Sequence, residues 1–265
     1  MKYVGKHIID NQKQLRSYFI KNAKNTELKF DYSNRDNEQM IRNLGKMMLN
    51  TFRLVPNGVL VFFPSYHLMN QYVNIWKKAD DPNDDNSTST YEQFEEKKTI
   101  CRESRDPEWQ RFAYEKFLSD YNTKGAVFFG IYGGKLSEGI DFTDDMARCV
   151  INIGIPFPNL NDKRIKAKKE YIDKILKAQE NLENKTKFLT GREWYNSQAM
   201  RLTNQAIGRS IRHIHDYGTV ILADKRWEVI SNREHISDWV TQYIEKVENW
   251  PSIFSKLPNF YRDIS

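Results

Sequence analysis

Four short apolar runs govern what this chain can fold into: 59–63, 126–131, 149–153 and 219–223. Each is continuous rather than alternating. A strand with one wet face alternates polar and apolar residues, whereas a continuous run is buried on both faces, as in a parallel sheet between two layers of helices. The segments between the runs carry helical spacing. Over 35–54, Met40, Ile41, Leu44, Met47, Met48 and Phe52 recur every three or four residues, which predicts an amphipathic helix. Further helices are predicted at 68–76, at 107–121 with Pro107 near its start, at 162–180, along 192–212, and at 236–247. Strand alternating with helix gives an α/β domain, a parallel sheet wound on both faces. At 265 residues the expectation is one domain over 1–265, with a mobile surface loop at 79–90, where Asp, Asn, Ser and Thr dominate.

Composition adds little that is specific. Lys and Arg number 41 against 35 Asp and Glu, a net +6 that suits nucleic acid but is common elsewhere. Two distant cysteines make no disulfide framework and point to reduced thiols inside a cell. No apolar run approaches the ~20 residues of a membrane span, and the first residues do not read as a signal peptide. The expectation is a soluble intracellular protein.

Two segments carry chemistry. Gln205, Arg209 and Arg212 stand at i, i+4 and i+7, one stripe if the segment is helical. Fixed guanidinium groups offer paired donors and permanent charge to a polyphosphate. The stretch from Gly133 to Phe142 is a glycine-rich turn with Lys135, Ser137, Glu138 and Asp141, directly after an apolar run. Each has a plainer reading, as solvated surface charges and as an ordinary strand-exit turn. The other candidates are plainer still. His213 and His215 lack zinc-ligand spacing. Tyr195, Ala199, Leu202 and Ala206 make a core stripe. The seven Lys and Arg between Asn161 and Glu180 fit a solvated face as well as a DNA contact.

Taken together and in order, these segments, with 59–66, 147–158, 191–195 and 223–227, resemble the motifs of the XPD-like group of superfamily 2 iron–sulfur DNA helicases. Within that group the Fanconi anaemia group J and telomere-length-regulator branch is most similar, over about 7–239. The chain lacks the Gly-x-x-x-x-Gly-Lys-Ser/Thr phosphate loop and any Asp-Glu dipeptide, both expected of a first motor domain. An iron–sulfur cluster of this family needs four cysteines. The resemblance therefore implies the second, C-terminal RecA-like motor domain.

It also implies the roles. Gln205, Arg209 and Arg212 would meet the ATP phosphates, with Arg212 as arginine finger, a group worth roughly 10³–10⁵ in rate. Glu138, Gly139 and Asp141 would face the nucleotide, with Asp141 at the ribose. Ser65, Tyr66, Lys135 and Ser137 would hold single-stranded DNA by its phosphates, with Tyr66 readable instead as a core or helix-capping aromatic; Arg226 would give structural support or, second, a DNA contact. ATP with Mg2+ would be bound mainly by the first motor domain, which would also hold the iron–sulfur cluster. The family's setting is 5′→3′ translocation in DNA repair or replication in the nucleus. The chain alone is expected to be nearly inactive. The competing reading is a stand-alone nucleic-acid-binding or adaptor domain without ATPase activity.

Overall fold

Eight strands form one sheet in the order β2-β1-β7-β6-β3-β5-β4, with β8 laid against β1. The computed structural model describes residues 8–80, 87–135, 142–179, 189–254 and 256–264. The strands are β1 (Leu15–Ala23), β2 (Thr26–Glu27), β3 (Gly58–Phe63), β4 (Thr99–Arg102), β5 (Ala126–Ile131), β6 (Cys149–Ile153), β7 (Gly218–Ala223) and β8 (Ile244–Asn249). In the first half the helices are α1 (Asn11–Gln14), α2 (Glu38–Leu54), α3 (Tyr66–Trp76), α4 (Thr90–Lys97) and α5 (Pro107–Asp120). The second half adds α6 (Lys163–Gln179), α7 (Gly191–Ile207), α8 (Ile230–Arg233), α9 (Asp238–Thr241) and α10 (Lys256–Ile264). Only the β1–β2 pair is antiparallel; the other pairings are parallel.

The four continuous runs become β3, β5, β6 and β7, every residue of them buried. Successive residues serve opposite faces. Val59, Val61 and Phe63 of β3 join Cys149, Ile151 and Ile153 of β6 beneath α2, α3 and α4. Leu60, Phe62 and Val150 face the other way, toward Phe117 of α5 and Ala206 of α7. The C-terminal residues also pack on the domain: Trp250, Ile253, Leu257, Phe260 and Tyr261 enter the first core layer. The Tyr261 hydroxyl lies 2.7 Å from Thr219 Oγ1 and donates to the carbonyl of Arg148 at 2.6 Å.

Three sequence expectations change. The helix predicted along 192–212 stops at Ile207 and Gly208 caps it; Ser210 then turns the chain out by bonding back to the Ile207 carbonyl through both N–H (3.0 Å) and Oγ (2.8 Å). The closing helix predicted at 236–247 is a single turn, α9, followed by strand β8. There, pairing with β1 and burial of Val247 outweigh helical spacing, and Glu245, Lys246 and Glu248 leave a charged edge that resists further pairing. At 79–90 the described ends are tied by an Ala79–Ser89 bridge, and Thr90 already belongs to α4; residues 81–86 lie outside the described set. Among the described residues no helix is long and apolar enough to cross a membrane.

Candidate functional site

Helix α7 begins in a capping box between Thr190 and Glu193 and carries Gln205, exposed, on its last turn. Because the helix ends at Ile207, Arg209 and Arg212 stand on the loop beyond it. The expected single helical stripe is thus replaced by one helix residue and two loop residues. A loop can hold an arginine in place only if its backbone is fixed, and here a buried carboxylate does so. Asp216, 2% exposed, accepts from the Arg212 N–H through Oδ2 (2.9 Å) and from the Tyr217 N–H through Oδ1 (2.9 Å). Arg148, which leads into β6, donates to the same Oδ1 at 2.7 Å, to Asp145 at 2.9 Å and to the Tyr217 carbonyl at 2.5 Å. Burial works against the Arg148 charge, but the hydrogen bonds to Asp145 and Asp216 more than offset it and raise its pKa.

A second tie reaches the same loop. His213 Nε2 lies 2.5 Å from Asp144 Oδ1. Asp144, His213 and Asp216 each place a ligand atom within 4.8 Å of the others, a proximity that the sequence spacing of the histidines had hidden. The Asp216 oxygens are already taken by Arg148, Arg212 and Tyr217, so the group reads as a hydrogen-bonded lock between two loops.

The other half of the site centres on Glu103, a residue that sequence reasoning missed. It follows the short strand β4 and is 3% exposed. Its carboxylate accepts from the Tyr66 hydroxyl (2.8 Å), the Ile131 N–H (2.9 Å) and the Lys135 N–H (2.9 Å). One side chain therefore joins the start of α3, the end of β5 and the glycine turn. Gly134 permits this approach, since a Cβ there would lie 2.4 Å from Glu103 Oε1; Gly133 takes a positive φ of 66° to form the turn. Burial first, and then the Glu103 bond, push the Tyr66 hydroxyl up to about 12, so it stays a proton donor. The available signal was a lone carboxylate at the carboxyl end of a strand, the edge where open α/β sheets gather ligands.

Tyr66 and Glu103 also line an open groove of about 630 Å³, with Arg105, Trp109, Phe112 and Lys116. Arg105 lies 4.9 Å from the Tyr66 ring centre, and Trp109 and Phe112 are 67% and 57% exposed, unusual for aromatics. Ser65 caps α3 by accepting from the Leu68 N–H (3.2 Å), and Lys135 is exposed. Ser137, Glu138, Gly139 and Asp141 lie outside the described residues. Arg226 is held by the fully buried Asp224 at 2.6 Å. Cys101 and Cys149 are buried on separate strands, as free thiols packed in the core, which does not fit cluster ligation here.

Comparison with known proteins identifies the family and the fold. The helicase C-terminal domain family matches residues 48–243. The chain belongs to that family. Among curated proteins it is 36% identical over 239 residues to a regulator of telomere elongation helicase 1 homolog of Oryza sativa subsp. japonica, covering 89% of this chain and 23% of that protein. The homolog of Drosophila melanogaster is 37% identical over 239 residues, covering 90% of this chain and 23% of that protein. The chain thus spans about a quarter of the length of these relatives. In fold it is similar to a solved XPD helicase with a TM-score of 0.57 at 20% identity, over 88% of this chain and 35% of that one. An XPD apo structure gives 0.55 at 21%, over 88% and 40%. The fold is accordingly the RecA-like C-terminal domain of XPD-type helicases.

Proposed function

We propose that this chain is the C-terminal motor half of an ATP-dependent DNA helicase, working with a first motor domain that supplies the phosphate loop and the Mg2+ ligands. One observation carries the reading: the Arg148–Asp216 pair fixes the backbone of Arg212 on a loop that also holds Arg209 and adjoins Gln205. Two arginines on this loop and a glutamine on the last turn of α7 are the groups that would meet the β- and γ-phosphates of a nucleotide closed between two domains. Arg212 is the finger that stabilises the transferring phosphoryl group. Glu138, Gly139 and Asp141 complete the nucleotide side in this reading.

Single-stranded DNA would run along the opposite part of the same edge. Ser65, Tyr66, Lys135 and Ser137 hold its phosphates, while the groove adds Arg105 and Lys116 as cations and Trp109 and Phe112 as faces for bases. The relatives' name, regulator of telomere elongation helicase, supports work at telomeres, and a setting of repair or replication in the nucleus is part of the same proposal.

The test is to join the chain to a first motor domain of this family and measure DNA-stimulated ATP hydrolysis. Activity should appear only in the joined protein, and Arg212→Ala should lower kcat by roughly 10³-fold or more. Undiminished hydrolysis in that variant sinks the finger assignment. No hydrolysis in any joined protein would favour a binding domain without chemistry.

A further inference from the structure

The basic helix α6 is not used by the motor site, and its charges are sorted by face. Ile165, Ile172, Ile175 and Leu176 lie on the side that packs against α7 and are half-buried. On a helix of 3.6 residues per turn, Lys163, Lys166, Lys174 and Lys177 share the opposite side, and all four are exposed. The acids of this region are mostly engaged elsewhere. Asp162 caps the start of α6 by accepting from the Arg164 N–H at 2.7 Å, and Asp173 accepts from the Gly191 N–H at 2.8 Å, at the start of α7. Glu170 is the acid left on the outer face of the helix. Among the described residues, none of the four lysines has an ion-pair partner.

The ridge is also fixed in place. Lys169 Nζ sits 5.1 Å from the ring of Tyr195, which stacks on Phe157 at 5.5 Å with 6° between the planes. Arg226 closes the ladder 5.8 Å from Phe157, and Asp224 holds Arg226. Phe157 follows β6 and Asp224 follows β7, so the helix is anchored to the same carboxyl edge of the sheet that carries Tyr66 and Glu103.

We infer that the outer face of α6 is a second nucleic-acid contact, outside the groove, that grips the phosphate backbone without reading sequence. This rests on the nucleic-acid reading given under Proposed function. From Lys163 to Lys177 the ridge runs about 21 Å at 1.5 Å per residue, about six base pairs of duplex at 3.4 Å per phosphate along one strand. Tyr171, 58% exposed beside Lys168, lies on the flank of the ridge; the nucleic-acid reading of the domain favours a phosphate backbone there over an acidic peptide.

The test uses the full chain and fluorescence anisotropy with an oligothymidylate and a duplex of equal length across a salt series. The variant Lys163→Gln/Lys166→Gln/Lys174→Gln/Lys177→Gln keeps helix formers at every position, and circular dichroism checks that helix content is unchanged. Removing four phosphate contacts should flatten the log–log salt slope by about 3 and weaken low-salt binding at least ~10-fold. The matching Lys→Arg variant should keep both. Loss confined to the duplex places the double-stranded arm on α6; loss with both ligands places the translocating strand there. An unchanged slope and affinity overturns the inference, as does equal displacement by polyglutamate, which would assign the ridge to an acidic protein segment. If Trp109→Ala weakens binding while the four-lysine variant does not, only this inference fails. If the parent chain binds neither oligonucleotide, the nucleic-acid half of the proposed function fails with it.

Discussion

Replacing Asp216 by Asn tests whether the loop that carries the proposed finger is held as its geometry implies. The Asp216 and Arg148 side chains are 2% and 5% exposed, so the pair is screened from water. Breaking a buried pair by removing one partner costs about 3–5 kcal/mol, because the other charge is left uncompensated. Arg148 is not left wholly alone, since it keeps Asp145 at 2.9 Å and the Tyr217 carbonyl at 2.5 Å. Asn keeps the size and one acceptor but turns an amide NH2 toward an existing donor. The expected cost therefore falls at or just below the bottom of that range, about 2–3 kcal/mol, or roughly a 5–10 °C fall in Tm for a domain of this size. Urea unfolding of the parent and variant chains measures it. The double variant Arg148→Met/Asp216→Asn should regain part of the loss, because neither charge is then stranded. In the protein joined to a first motor domain, Asp216→Asn should lower kcat more than it raises KM for ATP, since the finger acts in the transition state. A stability loss below about 0.5 kcal/mol, together with unaltered kcat, refutes the argument that Asp216 fixes Arg212.

Lys98 should give a measurable pH signature: it is 4% exposed, its Nζ donates to the Asn57 carbonyl at 2.7 Å, and burial lowers its pKa from 10.5 to about 8. The unfolded chain then binds more protons between about pH 8 and 10.5, so stability should rise with pH across that window by about 3 kcal/mol relative to Lys98→Met; parallel pH profiles for the two proteins contradict this. Gly134→Ala puts a methyl group 2.4 Å from Glu103 Oε1 and should destabilise the chain by about 1–3 kcal/mol in chemical unfolding, whereas a neutral result means the carboxylate yields freely. Glu103→Gln should reduce DNA stimulation of ATP hydrolysis in the joined protein more than basal hydrolysis, because it weakens the tie between Tyr66 and Lys135; equal loss of both rates would make Glu103 a stability residue only.

Four of the eight described strands were legible because continuous apolar runs have few alternatives: 59–63, 126–131, 149–153 and 219–223 all became buried parallel strands, whereas β1, β2, β4 and β8 carry no such run and were missed. The motif order led to the C-terminal helicase fold for a similar reason, since several specific segments had to agree. The errors fall where tertiary contacts outweigh local spacing. Nothing in 205–212 announces that the helix stops at Ile207, because Gly208 is tolerated inside helices and the bonds that fix the exit come from Ser210 and, across the fold, Asp216. Segment 236–247 has helical spacing but is recruited to the sheet by β1, a partner more than two hundred residues earlier. Glu103 was missed because a carboxylate after a strand is a weak signal and its meaning depends on three donors from three separate elements.

The same contacts bear on how, under the proposed function, one short segment would serve two ligands. The glycine turn is held at Lys135 by Glu103, which also holds Tyr66 beside the groove. Just past Phe142, Asp144 meets His213, and Asp145 joins Arg148 and Asp216 at the finger loop. A shift at either described anchor, Lys135 or the Asp144–Asp145 pair, must therefore be accommodated by the contacts that hold it, because packed, hydrogen-bonded contacts switch rather than stretch. Chain order alone separates the DNA-side and nucleotide-side residues into distant motifs. Folding places the contacts of Lys135 with Glu103 and of Asp144 and Asp145 with the 209–216 loop only a few residues apart in sequence.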